Sequence, residues 1–296
     1  MSWLIAGTVP DDGFGLAFGP AQVTGQDLVV KGKRVSIARG TPALAATACL
    51  ACLHLGIESP QVLLAGDTGQ GQGSRDLYDY LVQAVQDLDV QGFTFHYLQP
   101  DVYWHNQVLW TIREMPSRAC LVADAGFMYV AKMSGFAADY DLFTPDVGEM
   151  SFLADETAPH PFYTRGFLLE DETKVPEYIT RAWAEKNAAQ HLLIKGAQDY
   201  ITRKDEILAT VSSPSTEAME AIGGTGDTLT GLVSAYLLAG YCIPDACCLA
   251  ALSNRYLGSL ARPTPATLVS DLLPFLPQAM DHACRDHGKP GTGSPV

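Results

Sequence analysis

Short apolar runs and longer amphipathic or apolar stretches alternate along most of the chain. Runs at 62–65, 119–123 and 191–194 have the length of buried strands, whereas 41–55 and 228–238 are long enough for helices. Strands that alternate with helices form a mostly parallel sheet with helices on both faces, so the pattern predicts an α/β fold. Further strands are predicted at 27–30, 34–38, 93–98, 142–144, 200–202 and 208–211, and further helices at 76–88, 104–114, 148–154, 175–187, 243–260 and 268–280.

Local signals predict where some elements begin and end. Thr41 is expected to cap the first helix, with Pro42 at its first position, and Gly56 is expected to end it. The segment 66–74 (GDTGQGQGS) predicts a loop, which is either a plain connection or a contact with substrate or nucleotide.

The composition suits one large globular domain. The 296 residues are 47% hydrophobic and 18% charged, and no linker or repeat interrupts the pattern. We therefore expect a single domain over 1–285 and a mobile tail over 286–296. The net charge of −14 opposes binding to nucleic acid or anionic membranes. The expected partners are small molecules, a homo-oligomer is left open, and any phosphate must be held by local N–H groups and a few cations.

Cysteine usage and the absence of long apolar runs point to a cytoplasmic protein. The first ten residues lack the pattern of a signal peptide, and no apolar run reaches the roughly 18 residues of a membrane helix. The seven cysteines are odd in number, which favours reduced thiols. Cys49 and Cys52 form a C-x-x-C pair, but their apolar neighbours favour a helix core over a redox pair or a zinc site.

The most informative segment is the glycine-rich run 221–231 (AIGGTGDTLTG), which leads into an apolar helix. Gly224 and Gly226 allow successive backbone N–H groups to point into one concavity, and the helix N-terminus adds positive potential for a phosphoryl group. Asp227 is placed to accept a proton from an attacking substrate hydroxyl. The alternative is that Asp227 only caps the helix and the glycines only form a turn. The run lacks the lysine of a Walker loop.

Polar residues at strand ends supply further candidates, because ligands of α/β proteins bind at the carboxyl ends of the strands. Lys195 follows one strand and either contacts phosphate or is an ordinary strand-end lysine. Asp124 follows another and is predicted to contact substrate. Asp146 and Glu149 flank a glycine before a helix, where carboxylates either hold Mg²⁺ or simply favour the helix N-terminus.

The aromatic-rich stretch from 93 to 110 favours core packing over ring stacking or a subunit contact. His96 and His105 have no metal-ligating partner at suitable spacing, so both are predicted to be structural. The absence of G-x-S-x-G and H-E-x-x-H disfavours a serine hydrolase or a zinc peptidase. The aromatic residues are Phe93, Phe95, Tyr97, Tyr103, Trp104 and Trp110.

The run 223–240 (GGTGDTLTGLVSAYLLAG) resembles the C-terminal signature of the ribokinase-like superfamily. Within it, the chain most resembles the NAD(P)H-hydrate dehydratase family, over roughly 30–280. Asp146 and Val147 stand where that family has His and Pro, and Val122 stands where it has Asp. The family's second glycine-rich loop is not evident, and its fused epimerase domain is absent. The matching segments are KGKRV at 31–35, Gly40 with the Ala-rich helix after it, VADA at 122–125, TPDVGE at 144–149 and LIKGA at 193–197.

The resemblance implies a three-layer αβα sandwich and a metabolite-repair enzyme that uses ATP or ADP, with Mg²⁺, to dehydrate hydrated NADH and NADPH. The nucleotide phosphorylates the ring hydroxyl, and the phosphate then leaves. Two alternatives remain: a kinase acting on a sugar, hydroxymethylpyrimidine or hydroxyethylthiazole, and a catalytically silent nucleotide sensor. The implied residues are Asp227, Gly224 and Gly226 for catalysis; Lys195, Gly196, Gly223, Thr225 and Thr228 for nucleotide; Gly40, Asp124, Asp146, Gly148 and Glu149 for substrate; and Glu149 for metal.

Overall fold

The computed structural model describes residues 2–156 and 172–287. The strands are β1 (Ser2–Val9), β2 (Leu16–Thr24), β3 (Asp27–Val30), β4 (Lys33–Ser36), β5 (Gln61–Gly66), β6 (Val90–His96), β7 (Cys120–Ala123), β8 (Leu142–Phe143), β9 (His191–Ile194), β10 (Asp199–Arg203) and β11 (Glu206–Val211). The α-helices are α1 (Thr41–Leu55), α2 (Gln72–Ala84), α3 (Val102–Arg113), α4 (Gly126–Met133), α5 (Val147–Ala154), α6 (Val175–Ala184), α7 (Thr225–Leu238), α8 (Ile243–Ala261), α9 (Val269–Leu272) and α10 (Leu276–His287).

The strands within the described residues form one sheet in the order β11-β10-β9-β8-β7-β6-β1-β5-β2-β3-β4. The six neighbours from β9 to β5 all pair in parallel. Antiparallel strands extend the sheet at both ends: β10 and β11 beyond β9, and β2, β3 and β4 beyond β5. The predicted α/β fold with a mostly parallel central sheet is confirmed.

Each face of the sheet carries its own hydrophobic core, because successive side chains of a strand point to opposite faces. In β1, Trp3 and Ile5 pack into a core with α1, α7, α8 and α10. Leu4 and Ala6, from the same strand, pack into a second core with α2 to α6. The sheet is therefore the middle of three layers, as predicted.

The sheet topology brings polar residues at the ends of three strands to one edge. The parallel strands β6, β7, β8 and β9 end next to one another. His96 is the last residue of β6, whereas Asp124 and Lys195 directly follow β7 and β9. The N-terminus of α7 meets this edge, because Thr230 Oγ1 donates a hydrogen bond to Asp124 Oδ2 at 2.6 Å.

Helix α7 approaches α1 closely through a glycine. A Cβ atom at Gly231 would lie 2.4 Å from the carbonyl oxygen of Leu44, well inside van der Waals contact. The absence of a side chain at Gly231 is therefore a packing requirement. This contact joins the helix that carries Asp227 to the helix that begins at Thr41.

Two predicted helix starts need correction. Thr41 is the first residue of α1 and not its cap, because the N-cap is Gly40 and the Thr41 hydroxyl contacts His96. Helix α2 begins at Gln72, earlier than the predicted residue 76. Asp67 explains this start, since its carboxylate accepts N–H groups of Gly69, Gly71 and Ser74 and so shapes the loop and the first turn together.

The C-terminal part also differs from the prediction. The single helix expected over 268–280 is divided into α9, a short 3-10 turn and α10, and Pro274 and Pro277 lie near the breaks. Helix α10 continues to His287, so the first two residues of the predicted tail are helical. The remainder of that tail, 288–296, lies outside the described residues.

The described helices include none that is both long and apolar enough to cross a membrane. All seven cysteines are free thiols. Burial raises the pKa of Cys49 and Cys52 to about 12, which agrees with the prediction that this pair belongs to the core of α1.

Candidate active site

A cleft of about 410 Å³ lies at the carboxyl edge of the sheet. Its walls are the residues that end or follow β6, β7, β8 and β9, together with the first turn of α7 and part of α8. The lining includes His96, Tyr97, Asp124, Asp146, Glu149, Lys195, Gly196, Gly224, Thr225, Gly226, Asp227, Asn254 and Arg255.

The glycine-rich loop forms the start of α7 as the sequence indicates. Gly224 is the N-cap, with a left-handed φ of 106°. A Cβ atom there would lie 2.9 Å from Arg39 Cα, so glycine is required both by conformation and by space. Asp227 is the third residue of α7, and no side chain caps this helix. The alternative that Asp227 merely caps the helix is therefore excluded.

The carboxylate of Asp227 is held by two donors and still reaches the cleft. Gly40 donates its N–H to Oδ2 at 2.5 Å, and His96 Nε2 lies 3.0 Å from Oδ1. About 11% of the Asp227 side chain is exposed. Burial alone would raise the pKa of Asp227, but the hydrogen bond and charge of His96, with Lys195 and Gly40, hold it below the ordinary value. Asp227 is thus an ionised carboxylate facing the cleft.

Lys195 is a largely buried cation of the site, with 14% of its side chain exposed. Its Nζ binds both oxygens of Asp124, at 3.0 and 3.1 Å. Burial opposes its charge, but Asp124 and Glu149 outweigh this effect and raise the pKa of Lys195. The same Nζ lies 3.5 Å from the position of a Cβ at Gly226, so the ammonium faces the glycine loop. A phosphoryl group at the loop would therefore meet both backbone N–H groups and a cation.

Asp146 and Glu149 form a capping box at the start of α5. Asp146 Oδ1 accepts the N–H of Glu149 at 2.7 Å, and Glu149 Oε2 accepts the N–H of Asp146 at 2.9 Å. Tyr129 donates its hydroxyl to Glu149 Oε1 at 3.0 Å. Burial and the charge of Asp146 raise the pKa of Glu149 to about 8. Both carboxylates line the cleft as well as capping the helix.

One group of side chains has the spacing of a metal site but is satisfied without an ion. His96, Asp124 and Asp227 offer ligand atoms within 4.8 Å of one another. Lys195 already binds Asp124, while Gly40 and His96 bind Asp227. We therefore interpret this group as a hydrogen-bonded network.

The structure brings most of the predicted site residues to the cleft. Those that line it are Asp124, Asp146, Glu149, Lys195, Gly196, Gly224, Thr225, Gly226 and Asp227. Gly40, Gly148, Gly223 and Thr228 do not line it. Thr228 is fully buried, and its hydroxyl donates to Asn254 Oδ1 at 2.6 Å, so the prediction that Thr228 contacts nucleotide needs correction. Gly40 contributes indirectly, through its bond to Asp227.

The premise that His96 lacks a nearby metal-ligating partner is wrong, because its Nε2 lies 3.0 Å from Asp227 Oδ1 at the cleft. Tyr97 and Arg255 also line the cleft and were not predicted to. The position of His96 at the end of β6, on the same edge as Asp124, is the signal that identifies it. His105 is structural as predicted: it is fully buried, and its Nε2 lies 2.8 Å from the Tyr140 hydroxyl.

Arg255 joins the loops on one side of the cleft. Its Nε donates to Asp199 Oδ2 at 2.8 Å, and its terminal nitrogens donate to the carbonyl oxygens of Ser212, Gly196 and Ala197. The loops after β9 and β11 are thus tied to α8. No sequence motif marks Arg255, because its partners lie far away in the chain.

The loop 66–74 and most of the aromatic residues between 93 and 110 lie away from the cleft. The loop 66–74 is absent from the lining and is organised by Asp67, which agrees with a plain connection. Phe93 and Phe95 belong to the core, as predicted, whereas Tyr103 and Trp110 are exposed. Tyr97 lies in the cleft and is half exposed.

Comparisons with known proteins agree on a family. The model of the NAD(P)H-hydrate dehydratase family matches residues 101–276. An uncharacterized protein of Methanocaldococcus jannaschii is 37% identical over 226 residues, which cover 76% of this chain and 93% of that protein. The bifunctional NAD(P)H-hydrate repair enzyme Nnr of Dictyoglomus turgidum is 26% identical over 179 residues, covering 59% of this chain and 32% of that enzyme.

Solved structures show the same fold at low sequence identity. A ribokinase-like superfamily protein of Enterococcus faecalis has a TM-score of 0.54 and 16% identity, covering 95% of this chain and 87% of the other. The pyridoxal kinase of Staphylococcus aureus in complex with ADP has a TM-score of 0.52 and 11% identity, covering 86% of each chain. The predicted ribokinase-like fold is confirmed.

Proposed function

The chain belongs to the NAD(P)H-hydrate dehydratase family, and we propose that it uses ATP or ADP to dehydrate hydrated NADH and NADPH. One observation carries the proposal. An ionised carboxylate, Asp227, faces the cleft from the first turn of α7, beside the Gly224 N-cap and opposite the Lys195 ammonium. This arrangement suits phosphoryl transfer to a hydroxyl group.

The first step is transfer of the terminal phosphoryl group of the nucleotide to the hydroxyl of the hydrated nicotinamide ring. Asp227 accepts the hydroxyl proton as the new O–P bond forms. The N–H groups of the first turn of α7, with the helix dipole and Lys195, stabilise the negative charge on the transferring group. Gly226 lets the phosphoryl group contact both the loop and Lys195, because a larger side chain would stand between the loop and Lys195.

The second step restores the double bond of the ring. The ring C–O bond breaks, inorganic phosphate leaves, and a proton is lost from the neighbouring ring carbon. The ring proton passes to solvent, and the net reaction cleaves the terminal phosphoanhydride bond of the nucleotide and yields reduced cofactor, inorganic phosphate and ADP or AMP. The Lys195 ammonium, which stays charged in the buried site, is suited to stabilise the departing phosphate.

Asp124, Asp146, Glu149 and Tyr97 line the cleft, and we assign these residues to the acceptor. Glu149 would hold a Mg²⁺ ion, because its carboxylate oxygens keep lone pairs beyond the hydrogen bonds that they accept from the Asp146 N–H and the Tyr129 hydroxyl. A bound Mg²⁺ would neutralise charge on the nucleotide phosphates. Arg255 and Asn254 also line the cleft, and we assign them to the nucleotide.

Product analysis tests this proposal. The protein is incubated with hydrated NADH, Mg²⁺ and either ATP or ADP, and the products are followed by phosphorus NMR. A dehydratase releases inorganic phosphate and leaves no phosphorylated ring. Accumulation of a phosphorylated acceptor, with hydrated NADH or with a panel of sugars, hydroxymethylpyrimidine and hydroxyethylthiazole, would instead show a kinase. Nucleotide binding by calorimetry without turnover on the whole panel would show a sensor.

A further inference from the structure

His96 stands in a chain of three buried side chains that ends at Asp227. Only 1% of its side chain is exposed. Its Nε2 lies 3.0 Å from Asp227 Oδ1, and its Nδ1 lies 3.0 Å from Thr41 Oγ1. Both ring nitrogens therefore have a hydrogen-bonding partner, and neither partner is exchangeable solvent.

The chemistry of these partners fixes where the imidazole proton lies. An ionised carboxylate only accepts hydrogen bonds, so Nε2 carries a proton toward Asp227. In the neutral ring Nδ1 accepts the Thr41 hydroxyl proton, and in the charged ring Nδ1–H donates to Thr41 Oγ1. The bond to Asp227 therefore persists in both protonation states of His96.

The backbone around His96 is built to hold this position. A Cβ atom at Gly7 of β1 would lie 2.1 Å from the His96 carbonyl oxygen and 2.5 Å from Thr41 Oγ1, so only glycine fits there. Tyr97 adopts a left-handed φ of 53°, which is unfavourable for a residue with a side chain. Thr8 secures this turn, because its hydroxyl donates to the Tyr97 carbonyl at 2.5 Å.

The start of α1 contributes to both ends of the chain. Gly40 donates its N–H to Asp227 Oδ2, and the adjacent Thr41 binds His96, which donates to Oδ1. The carboxylate is thus fixed by one donor on each oxygen. Lys195, Asp124 and Tyr97 are the other charged or titratable groups near Asp227. Among the titratable side chains described around Asp227, the one within hydrogen-bond distance of the Asp227 carboxylate is His96.

We propose that His96 is a positioning residue of this site, which orients Asp227 and stabilises its ionised form through the Thr41–His96–Asp227 chain. The proposal rests on the proposed role of Asp227 as the base.

The kinetic test compares His96→Ala, His96→Gln and Thr41→Val with the wild type on hydrated NADH. We expect His96→Ala to lower kcat about 10- to 100-fold, the effect of losing one hydrogen bond to a charged group, with KM for nucleotide changed less than about threefold. His96→Gln should recover part of kcat, because its amide can donate to Asp227. Thr41→Val should give the smallest loss. His105→Gln, which alters a buried histidine outside the cleft, is the matched control and should keep the wild-type kcat.

The pH profile distinguishes positioning from a general loss of structure. Without the His96 donor the pKa of Asp227 should rise, so the acid limb of the kcat profile should move to higher pH in His96→Ala. The proposal would be overturned if His96→Ala lowered kcat together with the melting temperature, left the acid limb of the kcat profile unmoved, and His96→Gln recovered none of the lost kcat.

A spectroscopic measurement needs no substrate and separates this proposal from the proposed function. In ¹⁵N-labelled protein the imidazole nitrogens of His96, assigned with His96→Gln, should show a proton on Nε2 at neutral pH, and their shifts should change in Asp227→Ala. A proton on Nδ1 alone, or shifts that ignore Asp227→Ala, would overturn the pairing. If the wild type does not turn over hydrated NADH, the proposed reaction fails, and this spectrum still decides for or against the pairing.

Discussion

Gly40 donates its backbone N–H to the Asp227 carboxylate at 2.5 Å, although the two residues are 187 positions apart in the chain. The bond joins the N-cap of α1 to the first turn of α7. Because α1 and α7 also pack closely at Gly231, the carboxylate is placed by the framework of the fold. A group held in this way needs little reorganisation to accept a proton.

Asp227→Asn should lower kcat by about 10²- to 10⁴-fold, because the amide cannot act as a base. Nucleotide affinity, measured by calorimetry, should change little, since the glycine loop and Lys195 remain. Asp79→Asn removes an exposed carboxylate on α2 and is the matched control. A wild-type kcat in Asp227→Asn would contradict the assigned role.

Gly226→Val should reduce activity more than stability. The branched side chain would fill the space between the loop and Lys195, whose Nζ is 3.5 Å from the Cβ position, so kcat should fall at least about 100-fold. Gly231→Ala should instead reduce stability more than activity. The new Cβ would clash with the Leu44 carbonyl oxygen and cost about 1–3 kcal/mol of folding free energy. Melting temperature and kcat of both variants check this contrast. A folded and fully active Gly226→Val would contradict the phosphate site.

Asp146→Asn should improve the use of hydrated NADH. Asparagine is as good an N-cap as aspartate, so α5 should keep its stability, whereas Asp146→Ala should lose about 1 kcal/mol. Removing the anion beside a dinucleotide that carries its own phosphates should lower KM for hydrated NADH about two- to fivefold. Calorimetry should show an unchanged nucleotide Kd. A weaker nucleotide Kd would instead place Asp146 with Mg²⁺ and the nucleotide phosphates.

Burial of His105 should lower the free energy of unfolding in mild acid relative to a variant that lacks this histidine. Burial lowers its pKa to about 4, below the value of about 6.5 in the unfolded chain. A depressed histidine pKa means that its contribution to stability is complete above pH 6.5 and is lost as the pH falls toward 4. The loss at pH 5 should be on the order of 2 kcal/mol. Denaturant unfolding of the wild type and His105→Gln at pH 7 and pH 5 measures it, and the free energy of unfolding of the wild type should fall relative to that of His105→Gln. Equal pH dependence in both proteins would refute this assignment.

Elements with strong local signals could be predicted from the sequence. Proline near the start and Gly56 at the end give α1 its observed bounds, and the apolar run 191–194 gives β9. Helix α4 could not be predicted, because it is short, follows Ala125 in a positive-φ conformation and has no side-chain cap.

The site could be predicted only where a motif or a strand end marks it. The glycine loop, Asp124 and Lys195 carry such signals, and all line the cleft. His96 and Gly40 act through contacts with Asp227 that the sheet order creates over long distances in the chain. The spacing of residues along the sequence does not reveal those contacts, so the sequence alone predicts no carboxylate partner for His96.

The most direct test of the proposed reaction is the recovery of reduced cofactor. Purified protein is mixed with hydrated NADH, Mg²⁺ and either ATP or ADP, while the near-ultraviolet absorbance of NADH and the release of inorganic phosphate are recorded together. NADH should reappear with one phosphate released per molecule, with at least one of the two nucleotides, and Asp227→Asn should lose this activity. No recovery of NADH with either nucleotide, from folded protein that binds nucleotide, would contradict it.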